Sequence, residues 1–291
     1  MFADSSLERI ALVVHPTRHV DQALATLRRW GAERGVEIVQ LTVDGGGERE
    51  VAAAGTLEAA DLVVALGGDG TVLSALRASV TANAPVLGVA CGSLGALSAV
   101  PAKELADALD HVWAGDWTAR SLPALAIDVA DGPHQWVLND FVVVRRGAGQ
   151  LVAAVTVDDE LYVRVAGDGL IVATPLGSTA YSMAAGGPVL ASDTPAFVCT
   201  PLAMHGGSAP PLVVPADATV IVDVQPGYAG FDVEIDGHDR TLDAHRFELR
   251  FHAGKVTLVM LGPRGRGLAG LRRRGLITDS PRVLARDGRA T

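Results

Sequence analysis

Short apolar runs alternate with stretches of helical period over roughly the first 118 residues. Residues 10–14 (Ile-Ala-Leu-Val-Val) are uninterrupted, the pattern of a strand buried on both faces. Pro16, in His15-Pro16-Thr17-Arg18, cannot continue a central strand, so the run ends there. From His19 to Arg34 the apolar residues Val20, Leu24, Leu27 and Trp30 fall near helical spacing, and Gly35 is a stop. A second strand is predicted over 36–41, a flexible glycine loop over 44–47, and a short helix over roughly 48–60. A strand over 61–66 leads into a helix running to about Ser79, and another strand spans 85–90. A helix from Pro101 to Trp113 follows, with Leu105, Ala108, Leu109 and Val112 as its apolar positions. Strands alternating with helices imply a parallel sheet, whose ligands collect outside the carboxyl ends of the strands. Residues 15–18, 67–71 and 92–95 all lie at such ends, which places them on one crevice.

Around Trp117 the period changes from helical to two. Residues 125–130, 136–144 and 150–165 read as strands, punctuated by Gly149, Asp158-Asp159 and Gly167-Asp168-Gly169. Later strands are predicted over 211–214, 219–224 and 231–235, with Asp236-Gly237 as a hairpin turn. The boundary between an α/β half and a β-rich half therefore falls near 115–120, and the β-rich half extends to about 260. Arg264, Arg266, Arg272, Arg273 and Arg274 make the tail basic. Such a run reads as a solvated face or a subunit rim rather than a phosphate clamp.

Composition narrows this picture. The chain of 291 residues is 49% hydrophobic but only 4% aromatic, which suits a closely packed α/β protein. A formal charge of −9 argues against nucleic acid or an anionic membrane as the main partner, because either needs clustered Lys and Arg. Cys91 and Cys199 form neither a metal-ligand spacing nor a disulfide framework, which favours a reducing cytoplasm. The first residues carry acids and no apolar signal core, and no apolar run approaches the ~20 residues of a membrane span.

The chemistry concentrates in two stretches. Leu66-Gly67-Gly68-Asp69-Gly70-Thr71 joins a strand to a helix. Free N–H groups and the helix dipole at such a junction favour a phosphate. Asp69 is foreign to a pure anion cradle, so it handles a hydroxyl proton or a metal beside the phosphates; the plain alternative is an ordinary turn residue. The second stretch runs from Asp168 through Thr174-Pro175-Leu176-Gly177-Ser178-Thr179-Ala180-Tyr181-Ser182 to Gly186-Gly187-Pro188. Its small and hydroxylated residues admit a polar ligand, and Tyr181 offers either a stacking face or core packing. Asn139-Asp140 interrupts an apolar strand and needs polar partners.

In this order these stretches resemble the NAD kinase family, over roughly residues 8–260. The resemblance implies an α/β, Rossmann-like (doubly wound) N-terminal domain and a β-rich C-terminal domain. It divides the chain into 1–118, to which 262–291 returns, and 119–261. It implies ATP-dependent phosphorylation of the adenosine 2′-hydroxyl of NAD to give NADP, with Mg²⁺ accompanying the triphosphate. By that resemblance Asp69 is the general base. Gly67, Gly68, Gly70, Thr71 and Arg18 belong to the phosphate side, and no dedicated protein metal site is expected. Asn139 and Asp140 would hold a ribose, Thr179, Ala180 and Tyr181 would line the dinucleotide pocket, and Asp168 would meet the nicotinamide end. A cytoplasmic homodimer or homotetramer follows, with sites between subunits and neither nucleic acid nor membrane as partner. The chain departs from the family pattern at Ala90, Ala96, Asp140, Leu176 and Ala184. Ala90, Asp140 and Ala184 motivate one alternative, a kinase of the same fold acting on another small-molecule hydroxyl; a non-catalytic NAD(P)-binding protein is a second alternative.

Overall fold

The computed structural model describes residues 7–43, 49–129, 134–262 and 268–287. The glycine loop at 44–47, Arg264 and Arg266 lie outside the described residues. In chain order the first half comprises β1 (Arg9–Val14), α1 (Asp21–Arg34), β2 (Glu37–Gln40), β3 (Ala53–Ala54), β4 (Leu62–Gly67), α2 (Asp69–Ser79), β5 (Val86–Ala90), β6 (Val100–Pro101) and α3 (Leu105–Trp113). Its strands pair in parallel in the order β3-β2-β1-β4-β5. Every residue of β4 and β5 is buried, as expected of a sheet covered on both faces. Leu24, Leu27 and Trp30 of α1 pack with Leu105 and Leu109 of α3 on one face. Val72 and Leu76 of α2 cover the other. Gly35 ends α1 in the left-handed conformation (φ 72°) and donates to Gly31 O, the role a glycine stop serves.

The helix expected over 48–60 does not form. Gln40 Oε1 instead accepts the N–H groups of Val51 (2.7 Å) and Ala52 (3.2 Å), while its Nε2 donates to Arg49 O. This clamp draws the segment out as β3 beside β2 and overrides the helix preference of its alanines.

The second half adds β7 (Thr118–Asp128), β8 (Gln135–Val137), β9 (Asp140–Arg145), β10 (Leu151–Val157), β11 (Glu160–Gly167), β12 (Gly169–Ala173), α4 (Tyr181–Ala184), β13 (Ala196–Leu202), β14 (Leu212–Pro215), β15 (Thr219–Gln225), β16 (Phe231–Ile235), β17 (His238–Arg240) and β18 (Arg246–Met260). The run expected at 150–165 is a hairpin, β10 and β11, turning at Asp158-Asp159 with φ of 46° and 69°. β18 pairs with β15 through its first residues and with β5 at Leu258, and β7 runs antiparallel along it. The parallel sheet thereby continues into the antiparallel one as a single mixed sheet of twelve strands. A six-stranded antiparallel sheet, β14-β13-β12-β9-β16-β17, packs against its far half. Phe141, Val143 and Phe197 of the smaller sheet meet Val155, Val222 and Phe247 of the larger between the layers. α5 (Leu268–Arg273) and α6 (Pro281–Arg286) close the described chain.

Candidate active site

From β1 the chain crosses one face of the sheet through α1; from β4 it crosses the other through α2. The carboxyl ends of these adjacent strands therefore part around a crevice, the switch point at which ligands of open α/β sheets bind. The His15 N–H bonds Leu66 O (3.0 Å) and the Cys91 N–H bonds Gly67 O (2.8 Å), tying three strand ends together. They enclose a cleft of about 360 Å³ lined by His15, Pro16, Arg18, Gly68, Asp69, Gly70 and Thr71, with Ser74 and His238 beyond. The backbone N–H groups of Thr17 and Arg18 both donate to His15 Nδ1 (3.2 and 3.1 Å), which leaves the ring proton on Nε2. Burial, then Arg18 and Arg49, hold the His15 pKa below its ordinary value. The Arg18 guanidinium lies across the glycine turns, so a Cβ on Gly68 or Gly92 would stand only 3.1 or 3.0 Å from its Nη1. Arg49 fixes the Arg18 backbone by donating to its carbonyl (2.6 Å) while pairing with Asp21 (3.0 Å).

Asp69 opens α2, where an acid is favoured by the helix dipole. Its Oδ2 accepts the Ala96 N–H (2.9 Å) and its Oδ1 the Leu97 N–H (3.0 Å). Each is a charge-assisted bond worth about 1.5–3 kcal/mol. A Cβ on Gly95 would overlap the Asp69 carboxylate, so glycine is what lets the loop close on it. The contact uses only the Ala96 backbone. The carboxylate remains about one-third exposed to the cleft, and Arg274 Nη1 approaches its Oδ2 to 3.9 Å.

The second constellation is built around Asp236. Asp236 and Gly237 take positive φ (52° and 74°) and turn β16 into β17, as the dipeptide predicts. The buried Asp236 carboxylate also accepts the N–H groups of Leu138 (3.0 Å), Asn139 (2.6 Å) and Asp140 (3.3 Å), and pairs with Arg77 Nε of α2 (3.6 Å). Arg77 Nη1 meets His238 Nδ1 at 3.0 Å, and His238 lines the first cleft. Asp236 thus couples the helix behind Asp69 to the Asn139-Asp140 loop. Thr174 Oγ1 donates to Leu138 O and accepts the Gly177 N–H, and a Cβ on Gly177 would collide with Asn139 O. Thr179 Oγ1 donates to Leu176 O (3.0 Å) and the Ala180 N–H to Gly177 O (2.9 Å), so both shape the turn beneath Tyr181.

The Asp140 carboxyl is buried and accepts the Tyr181 N–H; burial, with Asp236 and Glu234 nearby, pushes its pKa up to about 7. Tyr181 is 42% exposed. It lines a second cleft of about 540 Å³ with Ala184, Ala185, Asp168 and Arg145, and no residue lines both clefts. Asp168 accepts from Arg145 Nε (2.6 Å) and faces His205 Nε2 at 3.6 Å. That hydrogen bond leads in lowering its pKa. The structure therefore gathers Arg18, Gly67, Gly68, Asp69, Gly70 and Thr71 at one end, and Asn139, Asp140, Thr179, Ala180, Tyr181 and Asp168 at the other. Sequence reasoning missed the second role of Asp236, the parts played by His238 and Arg274, and the Ala96 and Leu97 amides. Asp236-Gly237 carried a signal that was spent on the turn, and Arg274 carried one in the basic tail that was read as a solvated face or subunit rim.

Among the described residues no three His, Cys, Asp or Glu side chains form a metal site. If Mg²⁺ accompanied a nucleotide's phosphates, Asp69, the one acid among the described residues lining the cleft, would be the carboxylate able to hold it there. A fixed carboxylate and an arginine at a helix N-terminus, on a two-domain frame with a second polar pocket, fit a phosphotransferase acting on nucleotides. The ATP-NAD kinase N-terminal domain matches residues 10–117 and the ATP-NAD kinase C-terminal domain residues 138–261. The NAD kinase of Koribacter versatilis is 37% identical over 244 residues, 79% of this chain and 85% of that protein. The NAD kinase of Prosthecochloris aestuarii is 35% identical over 239 residues, 79% and 83% of the two chains. Yeast NADH kinase complexed with NADH shares the fold, with a TM-score of 0.75 and 20% identity over 95% of this chain and 89% of its own. So does an NAD kinase from Archaeoglobus fulgidus in complex with ATP, with a TM-score of 0.72 and 24% identity over 93% of this chain and all of its own. The chain belongs to the NAD kinase family.

Proposed function

We propose that the chain transfers the γ-phosphoryl group of ATP to the 2′-hydroxyl of the adenosine ribose of NAD, giving NADP and ADP. The seating of Asp69 carries this reading: one carboxylate, held by two amides, faces a cleft walled by a helix N-terminus and Arg18. The hydroxyl oxygen forms the new P–O bond as the bond to the β-phosphate breaks, and its proton passes to Asp69. Gly67, Gly68, Gly70 and Thr71 line the phosphates, whose charge Arg18 offsets together with the Mg²⁺ that ATP brings. Asn139 and Asp140 hold a ribose, Thr179, Ala180 and Tyr181 line the dinucleotide pocket, and Asp168 meets the nicotinamide end. In this scheme residues 1–118 and 262–291 serve the phosphates and 119–261 the dinucleotide, in a cytoplasmic homodimer or homotetramer with sites at subunit boundaries. Light scattering at the mass of two or four chains tests that last element.

A different acceptor is not favoured. Ala90 is buried at the end of β5, Leu176 packs partly buried against the core and Ala96 serves through its amide, so these three leave the clefts little changed, whereas Ala184 lines the Tyr181 cleft and Asp140 accepts the Tyr181 N–H. Purified protein with MgATP and NAD is expected to form NADP, measured by a cycling assay, and Asp69→Asn to reduce it to background. NADP formation no greater than that of Asp69→Asn overturns the proposal.

A further inference from the structure

We propose that Arg274, from the basic tail, contacts the phosphoryl group in transit at Asp69. This rests on the reading that transfer occurs at that carboxylate. Phosphoryl transfer is catalysed chiefly by positioning and by neutralising charge on the migrating group. Among the described residues few cations are placed for that task. The sequence holds two lysines, Lys103 and Lys255. Lys103 pairs with Glu104, Lys255 sits over the Trp136 ring, and neither lines the cleft. Arg49 is engaged by Asp21 and the Arg18 carbonyl, and Arg77 by Asp236 and His238. Arg18 covers the glycine-turn side of Asp69; among the described residues Arg274 alone approaches the carboxylate itself, to 3.9 Å.

Its position is built rather than incidental. Leu271 of α5 is buried. The Gly275 N–H bonds Arg272 O and the Leu276 N–H bonds Leu271 O, both at 3.0 Å, with Gly275 at φ 71°. This pair of bonds around a left-handed glycine is a Schellman cap, and it fixes the residue before the glycine. Arg274 Nε donates back to Gly270 O (3.3 Å), which leaves Nη1 to face Asp69. Neighbouring Arg272 turns outward to Asp279. The approach to Asp69 is also longer than the 2.7–2.9 Å of a closed charge-assisted bond. An oxygen held by Asp69 therefore comes within reach of the guanidinium, where the migrating phosphoryl group passes.

Initial-rate kinetics of Arg274→Ala, Arg274→Lys and Arg272→Ala test this. Arg274→Ala is expected to lower kcat/KM for MgATP about 100-fold, as loss of one transition-state donor does, with KM for NAD unchanged. Arg274→Lys restores most of the rate, and Arg272→Ala matches wild type. Calorimetric titration with MgATP reads the same contact without turnover, and Arg274→Ala should bind about tenfold more weakly. If wild type forms no NADP but this loss of ATP affinity is found, the acceptor assignment fails and the Arg274 contact stands. Wild-type kcat/KM in Arg274→Ala overturns the inference.

Discussion

At the scale of single residues the transfer site depends on how closely backbone approaches Asp69. Its two amide bonds come from a loop that passes so near that Gly95 has no room for a Cβ. Gly95→Ala must displace the carboxylate, and a misplacement of about 1 Å costs about 100-fold in rate. That loss in kcat, with a melting temperature near wild type, is the expected outcome of an assay paired with thermal unfolding. Asp140 sets a pH dependence. Its pKa is raised to about 7 in the folded chain, whereas an unfolded chain loses the proton near 4. The folded state therefore binds the extra proton between those values, and stability declines as pH rises from about 4 to 7, by at most about 4 kcal/mol. Urea titrations should show Asp140→Asn removing that decline: it gains on wild type at pH 8 and not at pH 4. The glycines and Asp69 stand out in the chain as a motif. The shifted proton of Asp140 does not, because it depends first on burial and then on Asp236 and Glu234, about a hundred residues away in the chain.

At the scale of elements α2 is the connecting piece. Its first residue is Asp69, and Arg77 in its last turn holds Asp236 beneath the Asn139-Asp140 loop. Asp236→Ala leaves three amides and a guanidinium without their acceptor and should cost about 3 kcal/mol. Chemical denaturation measures that loss, and KM for NAD should rise as the loop loosens; Asp236→Asn should be milder on both counts. Elements with strong local patterns, such as β1, β4, α2 and α3, are recognisable from the chain. β18 as one strand is not, since Phe247 and Leu249 alternate inward at its start and Val256 and Leu258 near its end, but the alternation breaks between them, where the pairing with β7 shifts register. The absent helix at 48–60 fails for the complementary reason, because Gln40 supplies partners that alanine propensity cannot foresee.

At the scale of the molecule the two halves share one sheet. Leu122, Ala124, Val256 and Leu258, from β7 and β18, pack in the same cluster as Val72 and Leu76 of α2. A fragment ending at residue 118 lacks that packing and should show no cooperative unfolding transition by circular dichroism, whereas the full chain should. No helix among the described residues is long and apolar enough to cross a membrane. The sequence by itself determined the alternation of strands and helices, the glycine turn bearing Asp69, the change of period near Trp117 and the family. Each is a local pattern written in neighbouring residues. Only the tertiary structure decided that Asp236 joins the two constellations, that Asp140 is buried beside other acids, and that Arg274 returns to Asp69. Those relations join residues far apart in the chain, and they arise from burial and from amides that must find partners once the sheets close.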